Sequence, residues 1–162
     1  MRSREPWCDE RVFFEFINKD LPLNCTPVEA TKGAACFDLV ASHDFAIRKG
    51  WVVKVGTNVK FQMPYGWAAF IHPRSGLASK GIQVHNGVID SDYRKEVFVL
   101  MYVASENTFV ESYRGSFNSF GSVEFKAGSR IAQIEFRKSD CFSLENYKVE
   151  DTDRGGFGST GV

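Results

Sequence analysis

Asp90 and Asp92 stand one residue apart in GVIDSDYRKEV, residues 87–97, and Tyr93 follows directly. Carboxylates so placed can take a proton from water, hold a cation, or close a turn by accepting backbone N–H groups. An ordinary Asp, with a pKa of about 3.9, is ionised at neutral pH and is a weak base unless burial or a second carboxylate raises it. A second group lies in PRSGLASKG, residues 73–81. There Ser75 is expected to cap a short helix running through Leu77 to Lys80, with Gly81 suited to its end. Free N–H groups at that start, beside Arg74, would form a small anion site. The third group is DRGGFGSTGV, which carries four glycines among ten residues together with Arg154 and Phe157. Such a stretch takes up order on a ligand rather than in a core. It lacks the Gly-Lys-Ser/Thr of a nucleotide P-loop.

A carboxylate, an anion site and a glycine-rich arm bearing an arginine and an aromatic ring are what hydrolysis of a phosphate ester or anhydride uses. Asp90 would draw a proton from water, arginines and a divalent ion would neutralise phosphate charge, and Phe157 would close over a base. Each residue also has a plainer reading. Asp90 fits a turn, Arg74 a solvated surface, Tyr93 strand packing, and Gln133 the outward side of an apolar strand.

The elements that must position these groups are strands. VFFEFI, FDLVA, DFAI, WVVKV, VKFQM, WAAFI, EVFVLMYV, VEF, RIAQIEF and LENYKV recur between turn residues, and no long segment has helical periodicity. An all-β sandwich, jelly roll or barrel with one short helix follows. The 162 residues suit one self-contained core, read as a β domain over 1–152 followed by a flexible arm over 153–162. Lys plus Arg number 20 and Asp plus Glu number 20, so no net field draws nucleic acid or an anionic membrane, and neither is expected as a partner. The charged start MRSREPWCDE and the want of an apolar run near the ~20 residues of a membrane helix indicate a soluble intracellular protein, cytoplasmic or nuclear, of cellular or viral origin. Cys8, Cys25, Cys36 and Cys141 are scattered without C-x-x-C pairing and read as free thiols. His43, His72 and His85 are assigned to surface or packing. Residues 105–122, rich in Ser, Asn, Gly and aromatics, form an excursion suited to a neighbouring subunit or a protein partner.

Five stretches together resemble the motifs of the trimeric dUTPase family: GAACFDLVAS (33–42), PRSGLA (73–78), GVIDSDYR (87–94), GSRIAQIEF (128–136) and RGGFGSTG (154–161). The resemblance spans roughly residues 27–161, and PRSGLA followed by GVIDSDY is its most specific part. It implies a distorted jelly-roll or β-clip barrel that assembles as a homotrimer with shared sites. It implies cleavage of dUTP to dUMP and pyrophosphate by water attack on the α-phosphorus, with Asp90 as the base. Tyr93 would lie against the deoxyribose and exclude a 2′-hydroxyl. Gly87, Val88 and Ile89 would belong to a hairpin over 87–97 whose backbone meets the uracil edge, and Asp92 would support it near Arg94. Arg74, Ser75, Gly76 and Gln133 would hold the phosphates, and Asp38 would approach Mg²⁺ through its water shell. Arg154, Phe157 and Gly158 would close as an arm from a neighbouring subunit.

Several residues depart from that pattern. The family arm reads R-G-x-G-G-F, whereas only Gly155 and Gly156 separate Arg154 from Phe157 here. Two missing residues remove about 7 Å of reach. Cys36 replaces a glycine, Lys95 a glycine after DYR, and Ser129 an acidic residue before RIAQ. A positive φ at Cys36 would be costly. The short arm and the 105–122 excursion leave open a second class, a nucleotide-sensing or protein-binding module on the same scaffold with weakened turnover. A dCTP deaminase shares the fold, but PRSGLA and IDSDY suit the dUTPase branch better.

Overall fold

The computed structural model describes residues 11–104 and 122–139 of the 162-residue chain. Their strands are β1 (Phe13–Phe16), β2 (Val28–Glu29), β3 (Phe37–Val40), β4 (Phe45–Arg48), β5 (Val53–Gly56), β6 (Val59–Gln62), β7 (Trp67–His72), β8 (Ile82–Val84), β9 (Gly87–Asp90), β10 (Phe98–Val103), β11 (Ser122–Phe125) and β12 (Arg130–Lys138), with α1 (Ser75–Ala78) between β7 and β8. The LENYKV stretch, the arm and nearly all of the 105–122 excursion lie outside the described residues.

Side-chain alternation makes these segments strands. In β10, Val99, Met101 and Val103 are buried while Phe98 and Leu100 are exposed, the period of 2 expected when one face meets a core. β2 and β8, each of three residues or fewer, are too short for such a pattern to be read from sequence. The strands form a five-stranded sheet in the order β2-β3-β12-β7-β9, a three-stranded sheet β5-β10-β8, and two pairs, β1-β6 and β11-β4, and every recorded pairing is antiparallel. Together they wrap one jelly-roll-type core that includes Leu39, Ile47, Val55, Val99, Ile131 and Ile134.

Register divides the five-stranded sheet into two faces. Ile134 pairs with Phe37 and Ile71, Ala132 with Leu39, and Ile89 with Ala69, which sets an apolar face on the core. Asp38, His72, Gln133, Glu135 and Asp90 occupy the alternate positions and share the other face. One irregularity matters. Arg130 pairs with Val40 and Ala132 with Leu39, so Ile131 is an extra residue in β12. Without this bulge Arg130 would follow the parity of Ala132 and Ile134 into the core; the bulge turns it to the face of Asp38.

Asn58, between β5 and β6, is the only non-glycine with positive φ among the described residues, at 59°. Its side chain accepts from the Asn18 N–H (2.7 Å) and donates to the Asn18 carbonyl (3.0 Å), which offsets the cost of that backbone. Cys36 therefore has an ordinary φ, and the glycine it replaces is not needed there.

Candidate active site

β9 is an edge strand. It pairs with β7 through Ala68↔Asp90 and Ile71↔Gly87, while β10 pairs with β5 and β8 in the other sheet. The hairpin expected over 87–97 is thus corrected: its two arms part into separate sheets and share no ladder. The physical reason is that β9 follows the five-stranded sheet's register while Val97 donates to the Val59 carbonyl (2.8 Å) and leads β10 away. Among the described residues no strand pairs with the other edge of β9, which leaves N–H and C=O groups free along it. Beside that edge lies a cleft of about 350 Å³ walled by Gly87, Ile89, Asp90 and Tyr93 on one side and by Lys54 and Phe98 on the other.

The turn between the arms is short and well fastened. The Tyr93 N–H donates to the Asp90 carbonyl (3.1 Å), and the Tyr93 hydroxyl donates to the Glu96 carbonyl (2.9 Å), which fixes the ring at the cleft. The Asp90 carboxylate is exposed. Of the two forms of support open to Asp92, a turn role or an ion pair near Arg94, the ion pair is not formed: Arg94 Nη1 donates to the Ser91 and Tyr93 carbonyls (2.6 and 2.9 Å), because the tight turn points those oxygens at it.

The phosphate candidates form a second cluster. Asp38, 6% exposed, accepts from Arg74 Nε at 2.9 Å and from Arg130 Nη1 at 3.1 Å. Arg74 Nη1 also donates to the Arg130 carbonyl (2.9 Å), so the guanidinium is held at two points and keeps donors to spare. Gln133 Nε2 donates to the Pro73 carbonyl (2.9 Å), tying β12 to the loop that carries Arg74. Ser75 does not cap α1. It is the first helical residue, and Arg74 is the N-cap in extended backbone (φ −89°, ψ 132°) with no side-chain cap bond. The Arg74 carbonyl accepts from the Leu77 and Ala78 N–H groups, leaving the amides of Ser75 and Gly76 ahead of the first helical acceptor. Gly81, at φ 77°, ends the segment as expected.

Nearby, His72 Nε2 meets Glu135 Oε2 at 3.0 Å. Burial, then the charges of Glu135 and Asp38, push the Cys36 thiol above its ordinary pKa. Arg130 was not singled out by sequence reasoning, although an arginine at a core-parity position of an otherwise apolar strand is the signal of the bulge.

The two clusters stand apart within one chain. Asp90 lies opposite Ala68, while Gln133 lies opposite His72, four residues along β7 and on its other side. At ~3.3 Å per residue and ~4.8 Å between strands, their backbones are roughly 16 Å apart. Neither Arg74 nor Asp38 lines the cleft that holds Asp90.

A model of the dUTPase family matches residues 25–161, which contain both clusters. The chain belongs to the dUTPase family. The deoxyuridine 5′-triphosphate nucleotidohydrolase of Dictyoglomus turgidum is 36% identical over 162 aligned residues, covering 94% of this chain and 99% of that protein. The enzyme of the same name from Desulfitobacterium hafniense (strain DSM 10664 / DCB-2) is 41% identical over 147 aligned residues, covering 84% and 87%. Among solved structures, the Staphylococcus bacteriophage 80alpha dUTPase with dUPNHPP superposes with a TM-score of 0.74 at 20% identity, covering 95% of this chain and 100% of that one. That likeness fixes the jelly-roll-type fold of a dUTPase. Among the described residues of this dUTPase no helix is long and apolar enough to cross a membrane.

Proposed function

We propose that this dUTP diphosphatase hydrolyses dUTP to dUMP and pyrophosphate with Asp90 as the base and with each site assembled from neighbouring chains of a homotrimer. The observation that carries the reading is the open cleft in which Asp90, Tyr93 and the unpaired edge of β9 lie together. A strand edge that accepts the N3 proton of uracil and donates to O4 leaves cytosine with unpaired polar groups. In this reading the Tyr93 ring, held at the cleft by its bond to the Glu96 carbonyl, lies against the deoxyribose and excludes a 2′-hydroxyl.

In the chemical step, Asp90 takes a proton from water as the water oxygen bonds to the α-phosphorus. The bond from that phosphorus to the bridging oxygen breaks, and pyrophosphate leaves. Arg74, steadied by Asp38 and Gln133, holds phosphate charge together with the Ser75 and Gly76 amides. Because these residues lie far from Asp90 on one chain, the cluster of a second chain completes the cleft of the first. The arm residues Arg154, Phe157 and Gly158, outside the described residues, close over the nucleotide from a further chain.

Among the described residues no cluster of three or more His, Cys, Asp or Glu side chains suits a metal ion. Mg²⁺ keeps several waters and prefers substrate phosphates to a protein cage. Asp38 is the residue that would steady it: both its oxygens accept from arginines, yet each retains lone-pair capacity for a water of the ion's shell. When bound, Mg²⁺ neutralises phosphate charge.

Pyrophosphate release from dUTP, dCTP, dTTP and UTP tests the reading. Release from dUTP alone, abolished by Asp90→Asn, is expected. Tight dUTP binding without turnover in the unmodified protein would instead identify a sensor, which the short interval between Arg154 and Phe157 favours.

A further inference from the structure

Lys54 is the only cationic side chain among the described residues that wall the cleft. It comes from β5, whose pairing with β10 sets Lys54 opposite Leu100 and Val55 opposite Val99. Val55 and Val99 are buried, so Lys54, Phe98 and Leu100 share the outward face. There Lys54 Nζ lies 4.5 Å from the centroid of the Phe98 ring. The ring's negative face attracts an ammonium and favours this side-chain position over its alternatives. Among the described residues no carboxylate forms an ion pair with Lys54, so its three N–H donors are not spent on a protein acceptor.

The rest of this wall, Ile71, Val88 and Leu100, is apolar. A cleft with apolar sides, a strand edge and one fixed cation suits a flat ring whose rim carries carbonyl oxygens. Uracil presents two such oxygens; cytosine replaces the one at C4 with an amino donor. We propose that Lys54, seated on Phe98, donates to the second lone pair of the C4 carbonyl oxygen, beside the strand-edge N–H, and is a specificity residue that favours uracil over cytosine. The amine of cytosine would face the ammonium donor to donor and leave it unpaired. This role rests on the reading of the cleft as the base site and adds a side-chain determinant to the backbone one.

The test is Lys54→Met, which keeps the length and apolar stem of the side chain, with Lys54→Arg as the conservative variant and Phe98→Leu as a variant that frees the ammonium. Binding of dUMP and of dCMP by calorimetry, kcat/KM for dUTP and dCTP, and the melting temperature are read for each. Lys54→Met is expected to weaken dUMP about tenfold, the scale of one hydrogen bond to a charged group, and to leave dCMP unchanged or tighter. The dUTP-to-dCTP preference falls by the same factor, mostly through KM. Lys54→Arg retains most of the preference, and Phe98→Leu loses part of it, all at unchanged melting temperature. A parallel loss for both nucleotides would overturn the proposal, because the cation would then serve the phosphates. So would a preference unmoved by Lys54→Met. Failure of the unmodified protein to bind dUMP more tightly than dCMP would bring down the reading of the cleft itself, whereas selective dUMP binding unmoved by Lys54→Met removes Lys54 alone.

Discussion

Asp38→Asn tests whether the buried carboxylate organises the phosphate grip. The substitution keeps shape but replaces an acceptor of two arginine bonds by one carbonyl oxygen and one donor nitrogen. A hydrogen bond to a charged group contributes about 1.5–3 kcal/mol when sheltered, which applies to Arg74, whose side chain is 27% exposed. The Arg130 pair, with that side chain 51% exposed, is worth about 0.2–1 kcal/mol. Since asparagine keeps one of the two bonds, the net loss is about 2 kcal/mol, or roughly 4–8 °C in melting temperature for a chain of this size. Melting must be followed at fixed protein concentration, because assembly couples to stability. Arg74 would also regain rotamer freedom, so KM for dUTP should rise. An unshifted melting temperature together with an unchanged KM would refute the claim that Asp38 holds the arginines in place.

Three further outcomes follow from the same geometry. Tyr93→Ala should lower the preference for dUTP over UTP by about tenfold or more, read from kcat/KM for both, if the fastened ring has the proposed role of excluding the 2′-hydroxyl; an unchanged preference refutes that role. Asn58→Ala should destabilise the chain by about 2–3 kcal/mol in thermal or urea unfolding, combining left-handed backbone strain with the lost bonds to Asn18, while Asn58→Gly loses less. Alkylation of Cys36 in the native protein, followed by peptide mapping near pH 8, should run slower than that of a free small thiol, because a raised thiol pKa lowers the thiolate fraction below that of the unperturbed group; a rate at or above that of the small thiol contradicts it.

Most strands were legible because burial alternates along them, as in EVFVLMYV, and the family's residues stood out as contiguous motifs. Long-range register was not legible. Whether β9 pairs with β10 or with β7 depends on which sheet each strand joins, and no local pattern in GVIDSDYRKEV encodes that choice. Ser75 has the side chain of a good cap, yet the chain enters α1 one residue earlier because Arg74, pinned by Asp38 and the Arg130 carbonyl, already has the extended backbone of an N-cap. Arg130 was hidden by a bulge and Lys54 by distance in sequence from the residues it faces. Arg154, Phe157, Gly158 and almost all of the 105–122 excursion remain readings of sequence alone, since they fall outside the described residues.

The central claim is that Asp90 and Arg74 act on one nucleotide from different chains. Asp90→Asn and Arg74→Ala chains, each inactive alone, can be co-expressed with different tags and the mixed trimers isolated for assay of pyrophosphate release. Sites divided between chains predict recovery of up to about a third of normal activity, since in each mixed trimer one of the three junctions between neighbouring chains brings an intact Asp90 to an intact Arg74. No recovery in mixed trimers would contradict the account.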